Sequence, residues 1–256
     1  GLLRDRRRGL HARIMDAIEQ ISAECVAEQA ERLAHHAVRG EQWGKAVAFL
    51  REAGLRAMGR AAYREAIAHL EQGLAALRHL PETPETTELT IDIKLDLRSA
   101  LLPLGDRPRM GEHLHDAEVL ARNLGDQRRL GRVATLMVTQ YLNTGDYVEA
   151  IRFGQEALNI ARSLGDQSIE VVATSFLGWA HLARGEFSDA RTLFEQNVAI
   201  EGDLRSERFG APAIQWPTGA WPSAIRPRST SPPRRRCTAR WTCGSGWSRQ
   251  RRRWGS

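Results

Sequence analysis

The sequence has little that would mark an enzyme, a secreted protein or a membrane protein. Three cysteines in 256 residues are too few for a disulfide framework. Cys25 stands alone in a helical pattern, and Cys237 and Cys243 lack the second pair or neighbouring His that a zinc site needs. No run of 18 apolar residues and no secretory leader pattern occurs, so a reducing cytoplasm is the expected location. No alternation of apolar and polar residues announces a strand. Gly40-Glu-Gln-Trp-Gly44-Lys45 is one residue short of a phosphate loop, has Ala46 where Ser or Thr is required, and follows no strand. His113 and His115 lie two apart, so on a helix they point to different faces, and the adjacent His35 and His36 are expected to be one buried and one solvated. Nothing resembles a nucleophile with its base. We therefore expect no catalytic residue, no cofactor and no metal site in this chain.

The basic balance is also confined. The net charge is +6 and the pI about 9.9, which taken whole would suggest a nucleic-acid partner. From Arg208 to Ser256, however, there are 11 Arg and no Lys, Asp or Glu. Removing them leaves 26 basic residues against 31 acidic, a net of −5 for the first 207. That tail also holds five of the seven Trp (Trp216, Trp221, Trp241, Trp247 and Trp254) and has no helical period. Arg, Pro, Ser, Trp and Gly without acids or Lys is what a GC-rich gene yields when read out of frame, and a frameshifted end is the first reading. A basic tail that binds nucleic acid by stacking and phosphate contacts is the alternative. The chain opens on Gly rather than Met, which leads us to expect a piece of a longer protein.

What is present is repetition. Gly145 to Gln167 reads as one helix with its punctuation: Gly145 ends the helix before, Asp146 starts this one, and Ala150, Ile151, Ala157, Leu158 and Ala161 form its apolar face. Leu124-Gly125-Asp126-Gln127 recurs 40 residues later as Leu164-Gly165-Asp166-Gln167, and Gly145-Asp146-Tyr147 with Ala150 recurs as Gly185-Glu186-Phe187 with Ala190. A fixed period in this range signals a repeat array. Gly just past a helix end caps its last carbonyls, and the Asp that follows caps the next helix. Glu149 stands where it could complete a capping box with Asp146. The apolar periodicity predicts a basic first helix around Leu10–Ile21, then helices over Glu24–Val38, Trp43–Gly59, Tyr63–Leu80, Leu89–Leu102, Arg109–Leu124, Leu130–Asn143, Tyr147–Leu164, Ile169–Ala183 and Phe187–Ile200. A loop containing Pro81 and Pro84 is predicted between the fourth and fifth. Arg4-Asp-Arg-Arg-Arg8 reads as a solvated first turn, with a nucleic-acid role for its three adjacent Arg as the alternative.

The pattern of small and large residues resembles the tetratricopeptide (TPR) repeat. A unit begun at Gly131 places Met137, Tyr141, Tyr147, Ala150 and Ala157 in register, and one begun at Val171 places Leu177, Gly178, Phe187, Ala190 and Phe194. The units depart from the family at Ala134, Val138 and Gly154 and at Thr174, His181 and Asn197, and 40 residues exceeds the usual 34. The resemblance implies an all-α, right-handed α-α superhelix of antiparallel helix pairs whose first helices line a concave face. Its candidate contacts are Arg132, Thr135, Thr139 and Asn143 in one unit and Val172, Ser175, Trp179 and Leu182 in the next, with Asn143 and Trp179 foremost.

Residues 1–80 carry a narrower resemblance. Leu3-Arg-Asp-Arg-Arg-Arg-Gly-Leu-His-Ala-Arg-Ile14, Ala30-Glu-Arg-Leu-Ala-His-His36, Trp43-Gly-Lys-Ala-Val47 and Ala62-Tyr-Arg-Glu-Ala66 resemble the segment after the ATPase module in bacterial signalling proteins. Those join a class III adenylate or guanylate cyclase, a STAND-type ATPase and a TPR array. This implies a lead-in helix over 1–22 following an upstream ATPase module, an array over 23–207 and an irregular tail over 208–256. The implied role is a non-catalytic scaffold or sensor that binds a protein, a peptide or other domains of its parent, with no membrane association. A fragment of a nucleic-acid-binding transcriptional regulator is the alternative.

Overall fold

Five glycines, 105, 125, 145, 165 and 185, take positive φ between 65° and 83°, one every 20 residues. The computed structural model describes residues 2–21 and 29–198, and this spacing sets its architecture. Among the described residues ten α-helices follow in order: α1 (Leu2–Ile21), α2 (Ala30–Arg39), α3 (Trp43–Gly59), α4 (Tyr63–Leu77), α5 (Pro84–Leu101), α6 (Arg107–Leu124), α7 (Gln127–Thr144), α8 (Tyr147–Leu164), α9 (Gln167–Arg184) and α10 (Phe187–Val198). There is no strand among the described residues. Helices α6 to α9 are each 18 residues long and are joined by two-residue links. The 40-residue repeat is thus two helices with two Gly-Asp (or Gly-Glu) links. Antiparallel pairs stack into a right-handed α-α superhelix.

Each link closes one helix and opens another. At the α6 end, Gly125 donates to the Arg122 carbonyl and Asp126 donates to that of Ala121. This is the double bond pattern that a left-handed residue permits at a helix end. Asp126 Oδ1 then accepts the backbone N–H of Arg129 at 2.9 Å. Asp106, Asp146 and Asp166 cap their helices likewise.

The earlier turns use other residues. Glu41 and Ala61 adopt the left-handed conformation, with φ of 53° and 59°, whereas Gly40 stays right-handed. Gly40 serves close approach instead: a Cβ there would lie 3.2 Å from the Ala12 backbone nitrogen of α1. Three further expectations need correction. Pro84 does not stop a helix but opens α5, because its missing N–H costs nothing in a first turn, and Thr83 and Thr86 cap that turn reciprocally. Helix α4 ends at Leu77 rather than Leu80. Glu149 does not reach back to Asp146; its carboxylate accepts from Arg152 at 2.6 Å. The predicted helix from Glu24 starts at Ala30 in the described part, and residues 22–28 and the whole 208–256 tail lie outside the described residues.

The interior forms two clusters. Leu33, Val47, Leu50, Leu70, Ile93 and Met110 centre the first, which joins α1 through α6. Leu114, Val133, Val138, Phe153 and Leu177 centre the second, which joins α5 through α9. Helix α5 contributes to both, through Ile93 and Leu97 on one side and Ile91 and Leu95 on the other. Small residues set the helix spacing: a Cβ on Gly178 would stand 2.8 Å from the Phe194 ring, so α9 and α10 approach at van der Waals contact.

Candidate functional site

Alternate helices meet along one face. Helix α7 packs on α9 as well as on α8, and α3 touches α5, whereas no comparable packing joins α4 to α6, α6 to α8 or α8 to α10. Helix α5 meets α7 through side-chain bonds between Asp92 and Arg129, and the face shared by α3, α5, α7 and α9 is termed the inner wall below.

The α3–α5–α7 half of this wall is closed by ion pairs. Asp92 of α5 accepts a two-pronged pair of bonds from Arg129 of α7, both at 3.2 Å, and stands 3.6 Å from Arg51 of α3 and 3.9 Å from Arg132. Arg51 also donates to Asp96 at 2.7 Å, and Arg129 pairs further with Asp126 and Glu88. Burial pushes the Asp96 carboxyl above its ordinary range despite the Arg51 charge, which pulls the other way. The Asp92 and Asp126 pairs raise Arg129 further above its already high value. Arg98, two residues beyond Asp96, is 2% exposed. It donates to the Thr139 hydroxyl at 2.7 Å, and burial lowers its guanidinium to about 10.

The α7–α9 half is different. Along α7 the inner stripe is Arg132, Leu136, Thr139 and Asn143, at three- and four-residue spacing. Arg132 and Asn143 are exposed, and Leu136 and Thr139 are half-buried. Thr135 is not on this stripe. It is 4% exposed and its hydroxyl donates to the Gly131 carbonyl at 2.8 Å, so it is a helix-packing residue and the expectation of a contact there is corrected. Thr139 is engaged by Arg98, and the Asn143 carbonyl accepts from Arg107, which leaves its side chain to solvent. On α9, Val172, Ser175, Trp179 and Leu182 are all half-buried. Ser175 accepts from Asn197 of α10 at 2.7 Å, and Trp179 meets Phe194 edge-on with ring centres 5.7 Å apart.

Sequence reasoning missed the acidic ridge of α5 and its arginines. The i, i+4 pair Asp92 and Asp96 was a usable signal, but its partners sit 37 and 45 residues away. Among the described residues, two groups of side chains have metal-ligand composition, Glu31–Glu65–His69 and His181–Glu186–Asp189. In the first, Arg60 bonds both carboxylates at 2.9 and 3.1 Å. In the second, Glu186 is shared between His181 at 2.6 Å and Arg184 at 3.0 Å. Both are read as ion-pair clusters.

With this geometry in view, residues 129–200, spanning α7 to α10, match the family model described as tetratricopeptide repeat. No curated protein matches the chain in sequence. Among solved structures it is similar to the apo form of RapI, with TM-score 0.60, 12% identity and coverage of 70% of this chain. It is also similar to a kinesin light chain with TPR-like repeats from Podosopora anserina, with TM-score 0.57, 18% identity, and 80% of this chain and 98% of that one covered. A Rap protein complexed with competence and sporulation factor aligns with TM-score 0.52 and 13% identity over 75% of this chain and 64% of that one. The chain spans about half the length of RapI, 49%. At these identities the likeness is one of fold. Among the described residues no helix is long and apolar enough to cross a membrane.

Proposed function

We infer that the chain is a non-catalytic helical-repeat scaffold or sensor that engages a protein or peptide along its inner wall, chiefly on α7 and α9. TPR regions are protein-interaction scaffolds as a class, and the Rap protein solved with a bound factor supports that use of a similar fold. The observation that carries the reading is the contrast within the wall. The α3–α5–α7 half is saturated by internal ion pairs. Leu136, Asn143, Val172 and Trp179 remain as a mixed apolar and polar strip that the core clusters leave partly open. Such a strip suits an extended segment whose apolar side chains desolvate against Leu136 and Trp179 while Asn143 bonds its backbone. Peptides selected by display against the full chain should lose at least about ten-fold in affinity to Trp179→Ala and be unaffected by Val148→Ala, on the outer helix α8. Selected peptides that bind both variants alike would sink it.

The wider setting is part of the same proposal. Residues 1–22 are assigned as a lead-in helix and 23–207 as the array of a cytoplasmic cyclase–ATPase type signalling protein; the segments resembling that family support this. The second reading is a nucleic-acid-binding regulator acting through Arg4–Arg8. It is favoured by the high exposure of that turn, although Arg4 and Arg8 both pair with Glu41. DNA binding that survives deletion of residues 208–256 would support it, and binding lost with the tail would count against it.

A further inference from the structure

Arg98 of α5 is a buried cation with no anion beside it among the described residues. Its Nη2 donates to the Thr139 hydroxyl of α7 at 2.7 Å, and that hydroxyl in turn donates to the Leu136 carbonyl at 2.7 Å. Its Nε is buried and has no hydrogen-bond partner among the described residues. Burial by itself holds its pKa down at about 10, and no neighbouring carboxylate pulls the other way. The arginines that tie the inner helices together are arranged differently. Arg51 holds Asp92 and Asp96, and Arg129 holds Asp92, Asp126 and Glu88. A guanidinium taken out of water without an anion works against the fold. A single neutral hydroxyl is also a poor match for its planar fork of donors.

We propose that Arg98 pairs with an acidic side chain, Asp or Glu, carried within the segment that docks on the inner wall. This rests on the reading of that wall as a peptide-binding surface. Thr139 belongs to the stripe of Arg132, Leu136, Thr139 and Asn143 and is half-buried, so the Arg98 guanidinium ends against the middle of the strip. A carboxylate entering beside Thr139 meets a forked donor that binds carboxylates through two parallel N–H···O bonds. Arg98 then exchanges a neutral hydroxyl for a counter-charge in a site shielded from solvent, where such a bond is strong. Thr139 keeps its own bond to the Leu136 carbonyl. Leu136 lies one turn before Thr139 and Asn143 one turn after, so a segment lying along the strip continues on both sides of the acid. An internal side chain fits that placement, whereas a terminal carboxylate would leave one flank of the strip empty. Arg132, the other guanidinium of the stripe, is exposed and stands 3.9 Å from Asp92, so it offers a charge that is already solvated and partnered.

Random peptides displayed on phage and selected against the full chain should share one internal Asp or Glu. Replacing that acid by Asn or Gln should weaken binding to the wild-type chain by at least about ten-fold. The same replacement should not weaken binding to Arg98→Met, where the partner is gone, and should keep its full effect in Arg132→Met. The peptide-side change is read on the unaltered chain, so it needs no variant to fold. In urea, Arg98→Met should unfold at the wild-type midpoint or above it, because the buried charge is removed and the stem is kept; a lower midpoint would assign Arg98 to holding the fold and overturn the proposal. Selected peptides without a common internal acid, an acid-to-amide loss that persists in Arg98→Met or vanishes in Arg132→Met, or binding abolished by amidating the peptide C-terminus would overturn it as well. Peptides indifferent to Trp179→Ala would sink the reading of the wall and this pairing with it, whereas peptides that need Trp179 but not the acid would sink this pairing alone.

Discussion

Replacing Asp92 by Asn tests whether the inner wall is held by its ion-pair network. Asp92 is the hub. It receives two bonds from Arg129 and lies near Arg51 and Arg132, with a side chain 14% exposed. A hydrogen bond to a charged group contributes about 1.5–3 kcal/mol net, and removing one member of a fully buried pair costs about 3–5 kcal/mol. Neither limit applies in full. Asn keeps the shape and one acceptor, Arg129 keeps Asp126 and Glu88, and Arg51 keeps Asp96. The expected loss is therefore about 2 kcal/mol, or roughly 4–8 °C in Tm for an array of this size. Urea unfolding followed by circular dichroism reads it as a lower midpoint at unchanged m. The control is Asp116→Asn, which removes the Lys94 partner from a carboxylate 56% exposed and should cost less than about 1 kcal/mol. A loss at Asp92 no larger than at Asp116 would refute the view that this network ties α3, α5 and α7 together.

Asp96 should behave in the opposite sense with pH. Its folded pKa is raised from 3.8 by burial, so the folded chain holds that proton more tightly than the unfolded one. The stability it contributes is fully present below 3.8 and is lost as pH rises through the raised value. Wild type relative to Asp96→Asn should then be more stable at pH 4 than at pH 7; an equal difference at both refutes this. Gly165→Ala forces a Cβ onto a residue with φ of 65° and should cost about 1–2 kcal/mol in the same urea assay, whereas Ala61→Gly, at φ 59°, should be neutral or stabilising by up to about 1 kcal/mol. Gly178→Ala should cost about 1–3 kcal/mol by pressing on Phe194, and Phe194→Leu should partly rescue it. Finally, if residues 208–256 are read out of frame, a one-base shift near codon 205 should restore a helical apolar pattern; nucleotide sequence that gives none in either alternative frame refutes that reading.

The turn chemistry was legible because it is local. A Gly that must turn left-handed and an Asp that caps the next helix lie side by side, so the Gly125, Gly145, Gly165 and Gly185 links could be read directly. The Glu41 and Ala61 turns could not: there a residue other than glycine takes the left-handed conformation, and the composition gives no sign of it. Pro84 was ambiguous for a related reason, since proline both ends and begins helices, and only Thr83 with Thr86 decides which.

What the sequence by itself determined is the all-helical class, the two-helix repeat and the face each helix buries. Those follow from a 3.6-residue period and from caps that act within four residues. Only the tertiary structure decided what the inner wall contains. Thr135 lies buried beside Ala134 and Val138, off the stripe of Arg132, Leu136, Thr139 and Asn143. Asp92 met arginines on both flanking inner helices, and Arg98 met Thr139, because stacking brings together residues whose separation in the chain carries no period. A helix encodes its own faces; which side chain lies opposite depends on how the pairs stack.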